Sequence, residues 1–143
     1  MIDRKARNEL AELLRGLASG LISNDEFEDS IPDSEDDAIY EVFYKGGWLL
    51  YSDLKEYKLK GRDALENVVR KEVVRWVLFL KSDFEYSWPK VSFMQRIMHA
   101  WTLGVFGTSY SKAWTSAGDI EMWPFLNQEQ FNKAKEQSGY LGK

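Results

Sequence analysis

Apolar residues recur at helical spacing along most of the chain. Near the N-terminus, hydrophobic side chains return every three or four positions after Asp3, namely Ala6, Leu10, Leu13, Leu14 and Leu17. This spacing places side chains on one face of a helix, and Asp is a favoured residue immediately before a helix begins. The pattern therefore predicts a first helix that Asp3 caps and that weakens at Gly16 and Gly20.

Two further helices are predicted in the stretch that follows. The sequence "SNDE" from Ser23 has the form of a capping box, which indicates a short helix that stops before Pro32. "SEDD" from Ser34 predicts another start, and the apolar period then continues as far as Tyr57. We predict one long helix over residues 34–57, with a close contact at Gly46 and Gly47. The alternative is a break into two helices at these glycines.

The segment from Asp63 to Lys81 is predicted to be the longest and most central helix. Its broad apolar face comprises Leu65, Val69, Val73, Trp76, Val77 and Leu80. The run "VVRWVLFL" is apolar on nearly every side, which is typical of a buried helix. Its β-branched residues would also suit a strand, and that is the main alternative.

The remainder of the chain is also predicted to be helical. One helix is expected from about Ser92 to Leu103, followed by the loop-like sequence "GVFGTSYSKAWTSAGD". Asn127 is predicted to cap a last helix from Gln128 to about Gln137, with Phe131 and Ala134 facing inward. Together these patterns predict an all-α fold, a single-domain irregular bundle of five to seven helices over residues 1–143.

Composition limits the compartment and the chemistry. The 143 residues are 44% hydrophobic, which fits one domain with a sizeable core. The chain contains no cysteine, which excludes disulfides, thiol catalysis and zinc–thiolate sites. The N-terminus is charged, and no apolar stretch approaches the roughly 20 residues that a membrane-spanning helix needs. We therefore expect a cytoplasmic protein with no membrane insertion.

Negative charge is concentrated in one part of the chain. No Lys or Arg occurs between Gly16 and Tyr44, and this stretch carries nine acidic residues. They are Asp25, Glu26, Glu28, Asp29, Asp33, Glu35, Asp36, Asp37 and Glu41. Such a stretch repels nucleic acid and attracts a basic protein. Acids also stabilise the first turn of a helix, so the cluster has a structural explanation as well.

One phrase occurs twice, as "SDFEYSWP" from Ser82 and as "GDIEMWP" from Gly118. Pro redirects the chain, and Trp is a large apolar side chain that can be buried beside a helix end. We therefore favour a repeated structural joint near helix ends, in which the Asp side chains accept hydrogen bonds from backbone amides. The alternative is a functional site: if the two corners met, their carboxylates could bind Mg²⁺ or Ca²⁺, or act as an acid and a base. The residues concerned are Asp83, Glu85, Asp119 and Glu121.

Residues 36–131 resemble a family of small uncharacterised bacterial proteins. The resemblance rests on "IYEVFYKGGWLLYSDLKEYKL", "VLFLKSDFEYSWP" and "DIEMWPFLNQEQF". The second of these segments carries the family's signature, Phe-Leu-x-Ser-Asp-x-Glu-Tyr-x-Trp-Pro. It implies a bacterial, stand-alone domain, and it assigns no activity and no catalytic residue.

The remaining motifs do not favour catalysis. A Ser-His-Asp triad would have to use His99, the one histidine, and no Gly-x-Ser-x-Gly elbow exists. The stretch from Gly104 to Lys112 lacks the spacing of a phosphate-binding loop. The basic cluster from Lys55 to Arg62 is interrupted by acids, so it favours a solvated helix end over a nucleic-acid site. We expect no catalytic activity and no cofactor.

The leading hypothesis is therefore a non-catalytic protein-binding module. Its most concrete form is a small bacterial inhibitor, such as an immunity-type protein whose acidic surface binds a basic partner. The predicted contact residues are Glu26, Asp29, Asp33, Asp36 and Asp37, with Trp114 as an aromatic anchor. The alternatives are a metal-dependent carboxylate enzyme or metal-binding protein, and a homo-oligomeric structural protein that buries its exposed aromatic residues between copies.

Overall fold

The computed structural model describes residues 1–88 and 117–137. Within these ranges the chain forms five α-helices and no β-strand; Ser23 and Lys58 make one isolated antiparallel bridge. The helices are α1 (Arg4–Ala18), α2 (Asn24–Asp29), α3 (Asp37–Lys45), α4 (Asn67–Lys81) and α5 (Gln128–Gln137), and short 3₁₀ turns span Gly47–Leu50, Gly61–Asp63 and Ile120–Met122. The all-α prediction is confirmed. No helix in the described part has the length and apolarity needed to cross a membrane.

Helices α1 and α4 form the principal helix pair. In α1 the Asp3 carboxylate accepts a hydrogen bond from the Ala6 amide at 3.0 Å, which confirms the predicted cap. Leu10, Leu14 and Leu17 of the predicted stripe are completely buried, and Leu13 is partly buried against the core. The helix ends before Gly20, whose φ of +76° is a conformation that glycine adopts without steric cost.

Helix α2 also begins as predicted. The Ser23 hydroxyl accepts a hydrogen bond from the Glu26 amide at 3.2 Å. Phe27, the buried aromatic residue of this helix, packs against Phe43 of α3 with ring centroids 5.7 Å apart. The helix stops at Asp29, before Pro32, as the sequence indicates.

The predicted long helix over residues 34–57 is wrong at both ends. Asp36, not Ser34, caps α3, because its carboxylate accepts the Ala38 amide hydrogen bond at 3.1 Å. The helix ends at Lys45, and Gly46 leaves helical geometry. A Cβ at Gly46 would lie 3.0 Å from the Trp76 ring, and one at Gly47 would lie 2.7 Å from the Phe27 ring. The two glycines thus allow the chain to turn between large aromatic side chains.

Helix α4 starts later than predicted. Gly61–Asp63 forms a separate 3₁₀ turn, and Ala64 and Glu66 have extended backbone angles, so the helix begins at Asn67. Its second half is almost entirely buried from Trp76 to Leu80, which confirms its central position. At 15 residues it equals α1 in length, so these two helices are the longest among the described residues.

The two Trp-Pro segments meet in space. The Trp88 indole N–H lies 3.1 Å from the Pro124 carbonyl oxygen and 3.2 Å from the Phe125 carbonyl oxygen, and it donates to this pair. The Trp123 indole donates to the Tyr86 hydroxyl at 3.0 Å. This contact supports the interpretation as a structural joint, which connects the chain after α4 to the chain before α5. Asn127 caps α5 through the Gln130 amide at 2.9 Å.

The predicted helix from Ser92 to Leu103, most of the loop that follows, His99 and Trp114 lie outside the described residues.

Candidate binding surface around helix α2

Asp36, one of the predicted contact residues, lies in the interior, so its assignment to a partner surface is wrong. It forms a bidentate ion pair with Arg7, with Arg7 Nε 2.6 Å and Nη2 3.2 Å from the two carboxylate oxygens. Both side chains are almost fully buried. Arg7 also donates to the Phe84 carbonyl oxygen at 2.8 Å. The pair therefore links α1, the start of α3 and the segment after α4.

The electrostatics of Asp36 fit this structural role. Burial acts to raise its pKa, but hydrogen bonds from Arg7 and from the amides of Asp3 and Ala38 outweigh burial and hold the pKa below its ordinary value. The carboxylate is thus kept charged and satisfied inside the protein. Glu41 is buried as well, and it forms an ion pair with Lys45.

The other predicted acids are exposed. Glu26 and Asp29 lie on α2, Asp33 lies in the segment that follows, and Asp37 lies in the first turn of α3. The Asp33 carboxylate accepts a hydrogen bond from the Tyr40 hydroxyl at 2.8 Å, which raises the pKa of Tyr40. These four predicted acids therefore lie at the surface of the protein.

Several acidic residues outside helix α2 are paired with bases. Such pairs include Glu9 with Lys5, Glu12 with Lys81, Asp83 with Arg4, and Glu129 with Lys133. By contrast, Asp25, Glu26 and Asp29 form no ion pair within residues 1–88 and 117–137. Helix α2 is thus a local excess of negative charge.

Asn24 attaches the loop of residues 51–58 to the start of α2. Its buried side-chain amide donates to the carbonyl oxygens of Ser52 at 3.2 Å and Lys55 at 2.9 Å. Its side-chain oxygen accepts the Tyr57 amide hydrogen bond at 2.9 Å, and its own backbone amide donates to the Tyr57 carbonyl oxygen. Asn24 thus binds the loop backbone at three positions and holds the loop against the acidic helix.

The loop adds further acids to the same surface. The Tyr51 hydroxyl donates to Glu28 at 2.7 Å, and Glu56 accepts a hydrogen bond from the Ser23 hydroxyl at 3.1 Å. Burial raises the pKa of Tyr51, and the Glu28 bond and the charges of Asp53 and Asp25 raise it further, so these acids converge around its hydroxyl. We call this surface the α2 patch. Its residues are Asp25, Glu26, Glu28, Asp29, Asp53 and Glu56.

The contribution of residues 51–56 to the acidic surface is not among the sequence-based predictions. Residues 51–57 were predicted to end a long helix, and Lys55 to Arg62 was interpreted as a solvated helix end. The acids of residues 51–56 lie against α2 because Asn24, about thirty positions earlier, binds the loop backbone and because Ser23 and Glu28 bond to side chains of the loop. Nothing local in the sequence indicates that pairing.

The carboxylates proposed as metal ligands form other contacts, although Trp88 and Trp123 bring the two segments together. Asp83 forms an ion pair with Arg4 at 2.6 Å, and Glu85 contacts the N-terminal amino group at 3.2 Å. Asp119 accepts the Glu121 amide hydrogen bond at 3.1 Å, and the Glu121 side chain is exposed. Among the described residues no group of three or more potential ligands could hold a metal ion.

The fold and this surface define a class: an all-α domain with a loop-backed acidic patch. Comparison of the chain with protein-family models, curated proteins and solved structures finds no match. The resemblance to small bacterial proteins therefore stays a prediction.

Proposed function

We propose that the protein is a non-catalytic module that binds a basic protein through the α2 patch. The observation that carries this proposal is that Asp25, Glu26 and Asp29 are exposed and lack basic partners in the described part of the chain. The most concrete form is a small bacterial, cytoplasmic inhibitor of the immunity type, which would cover the positively charged surface of a toxin.

Physical chemistry supports such a role in two ways. Unpaired carboxylates on one surface produce a field that speeds encounter with a cationic partner and repels nucleic acid. The patch is also held in place before binding, because Asn24 fixes the loop to α2. A preorganised surface loses less conformational entropy when a partner binds.

The test is capture of partners from host lysate by the wild type and by the variant Asp25→Asn/Glu26→Gln/Asp29→Asn. We expect the wild type to retain a basic protein and the variant to lose it, because the variant removes three negative charges that lie together on one short helix without a base. In kinetic measurements with the captured protein, the association rate should fall by about 10-fold or more and should depend less on salt.

A matched control separates the patch from total charge. The variant Glu66→Gln/Glu121→Gln/Glu136→Gln neutralises three acids that are also exposed but lie away from α2. It should retain the partner as the wild type does. Equal loss in both variants would show that only net charge matters, and capture that neither variant weakens would contradict the proposal.

A further inference from the structure

Exposed apolar side chains lie beside the α2 patch. Trp48 is 41% exposed and Leu54 is 94% exposed. The Trp48 indole N–H donates to the Asp53 carboxylate at 3.1 Å, and Leu54 directly follows Asp53 in the chain. Asp53, a member of the acidic patch, thus adjoins an aromatic ring on one side and an aliphatic side chain on the other.

Trp48 is held by a series of aromatic contacts that extends from the core. Its ring meets Tyr44 edge-on at 5.8 Å, Tyr44 meets Phe43 at 4.8 Å, and Phe43 packs against buried Phe27. A large ring that is already ordered can bury area in a complex at little additional entropic cost. Trp48 therefore has the properties of a binding anchor.

The charges around this surface indicate what covers it. A second copy of the chain meeting this surface across a two-fold axis would bring two acidic patches together, and like charges oppose that contact. A cationic side chain, by contrast, can pair with Asp53 and lie against the Trp48 ring, while an aliphatic neighbour covers Leu54. Charge and apolarity together favour a basic segment that also carries aliphatic residues.

We infer that the surface formed by Trp48, Asp53 and Leu54 binds a segment of the partner in which a Lys or Arg lies between aliphatic side chains. The inference rests on the proposed function and specifies the partner chemistry for the same patch. Charge speeds the encounter, and the apolar contact selects among basic segments, because a purely polar basic chain leaves Trp48 and Leu54 exposed to water.

The test uses two fluorescent peptides of equal length and charge, in which each Arg is flanked by Leu in one and by Ser in the other. Fluorescence anisotropy measures the affinity of each for the full chain. We expect the wild type to bind the Leu peptide at least about 10-fold more tightly, which corresponds to burial of one or two aliphatic side chains. Both affinities should fall in Asp25→Asn/Glu26→Gln/Asp29→Asn.

Two variants test whether Leu54 and Trp48 cause the preference for the Leu peptide. Leu54→Ser alters a side chain that is almost wholly in solvent, so the fold should be retained, and Trp48→Ala removes the ring. Each should reduce the preference for the Leu peptide. Leu54→Ser should leave the affinity for the Ser peptide nearly unchanged, whereas Trp48→Ala should lower it modestly, because the Arg side chain loses its contact with the ring. Leu21→Ser, at another exposed leucine, should change neither affinity.

The outcomes separate the two proposals. Equal binding of both peptides that weakens when the acids are neutralised would overturn this inference and leave the proposed function standing. A Leu preference that persists in both Leu54→Ser and Trp48→Ala would also overturn it, because the apolar contact would then lie elsewhere. If neither peptide binds, or if neutralising the acids has no effect, both proposals fail.

Discussion

Asp36→Asn should destabilise the protein severely, whereas neutralising an exposed acid of α2 should not. The substitution leaves Arg7 charged and buried without its counter-ion, and breaking a buried pair in this way costs about 3–5 kcal/mol. Asn is as good a helix cap as Asp, so the bond to the Ala38 amide is retained, and the loss reports the contacts of the other oxygen with Arg7 and with the Asp3 amide. A domain of this kind has about 5–15 kcal/mol of total stability, so a large fraction would disappear.

Urea unfolding followed by tryptophan fluorescence measures this loss as a lower midpoint with an unchanged slope. The control Asp29→Asn alters an exposed acid and should change the free energy of unfolding by no more than about 0.5 kcal/mol. Adding Arg7→Met to Asp36→Asn removes both charges, and the double variant should be less destabilised than the sum of the single variants. A loss below about 1 kcal/mol for Asp36→Asn at pH 7 would refute the reasoning.

The ion pair of Arg7 and Asp36 also predicts that the free energy of unfolding depends on pH. The pKa of Asp36 is lower in the folded protein than in the unfolded chain, so its contribution is complete above the unfolded value of about 3.9. The contribution of Asp36 to stability is lost as the pH falls from the unfolded pKa through the folded pKa. The difference in unfolding free energy between wild type and Asp36→Asn should therefore be constant near pH 7 and should narrow below about pH 4. A difference that stays the same down to pH 3 would contradict this assignment.

Two other substitutions test the supports of the site. Asn24→Ala removes three hydrogen bonds to the 51–58 loop and should lower the free energy of unfolding by about 2–4 kcal/mol. Hydrogen exchange of the Tyr57 amide should accelerate. Unchanged protection of that amide would show that other contacts hold the loop. Gly47→Ala places a methyl group 2.7 Å from the Phe27 ring and should cost about 1–3 kcal/mol in thermal unfolding. Gly16→Ala meets only ordinary contact distances inside α1 and should be neutral or stabilising, so equal effects at both glycines would exclude the steric cause.

Features that depend on neighbouring residues were predictable. The caps at Asp3, Ser23 and Asn127 bond to amides three positions later, and the apolar period of α1 describes one face of one helix. The boundaries of α3 and α4 were harder to predict from the sequence. The turn at Gly46 depends on Trp76, thirty positions later, and no local pattern shows that an aromatic ring will lie there.

The candidate site likewise has features that the sequence determines and features that only tertiary contacts determine. The sequence by itself determined that the protein is helical, that it lacks cysteine chemistry, and that its acids are concentrated between residues 25 and 41. Only the tertiary structure decided that Asp36 is buried against Arg7 while Asp29 remains exposed, because the two have the same side chain and differ only in their distant neighbours. It also decided that Trp48, Asp53 and Leu54 adjoin α2, since Asn24 reaches the loop backbone through hydrogen bonds between positions 28 to 33 residues apart.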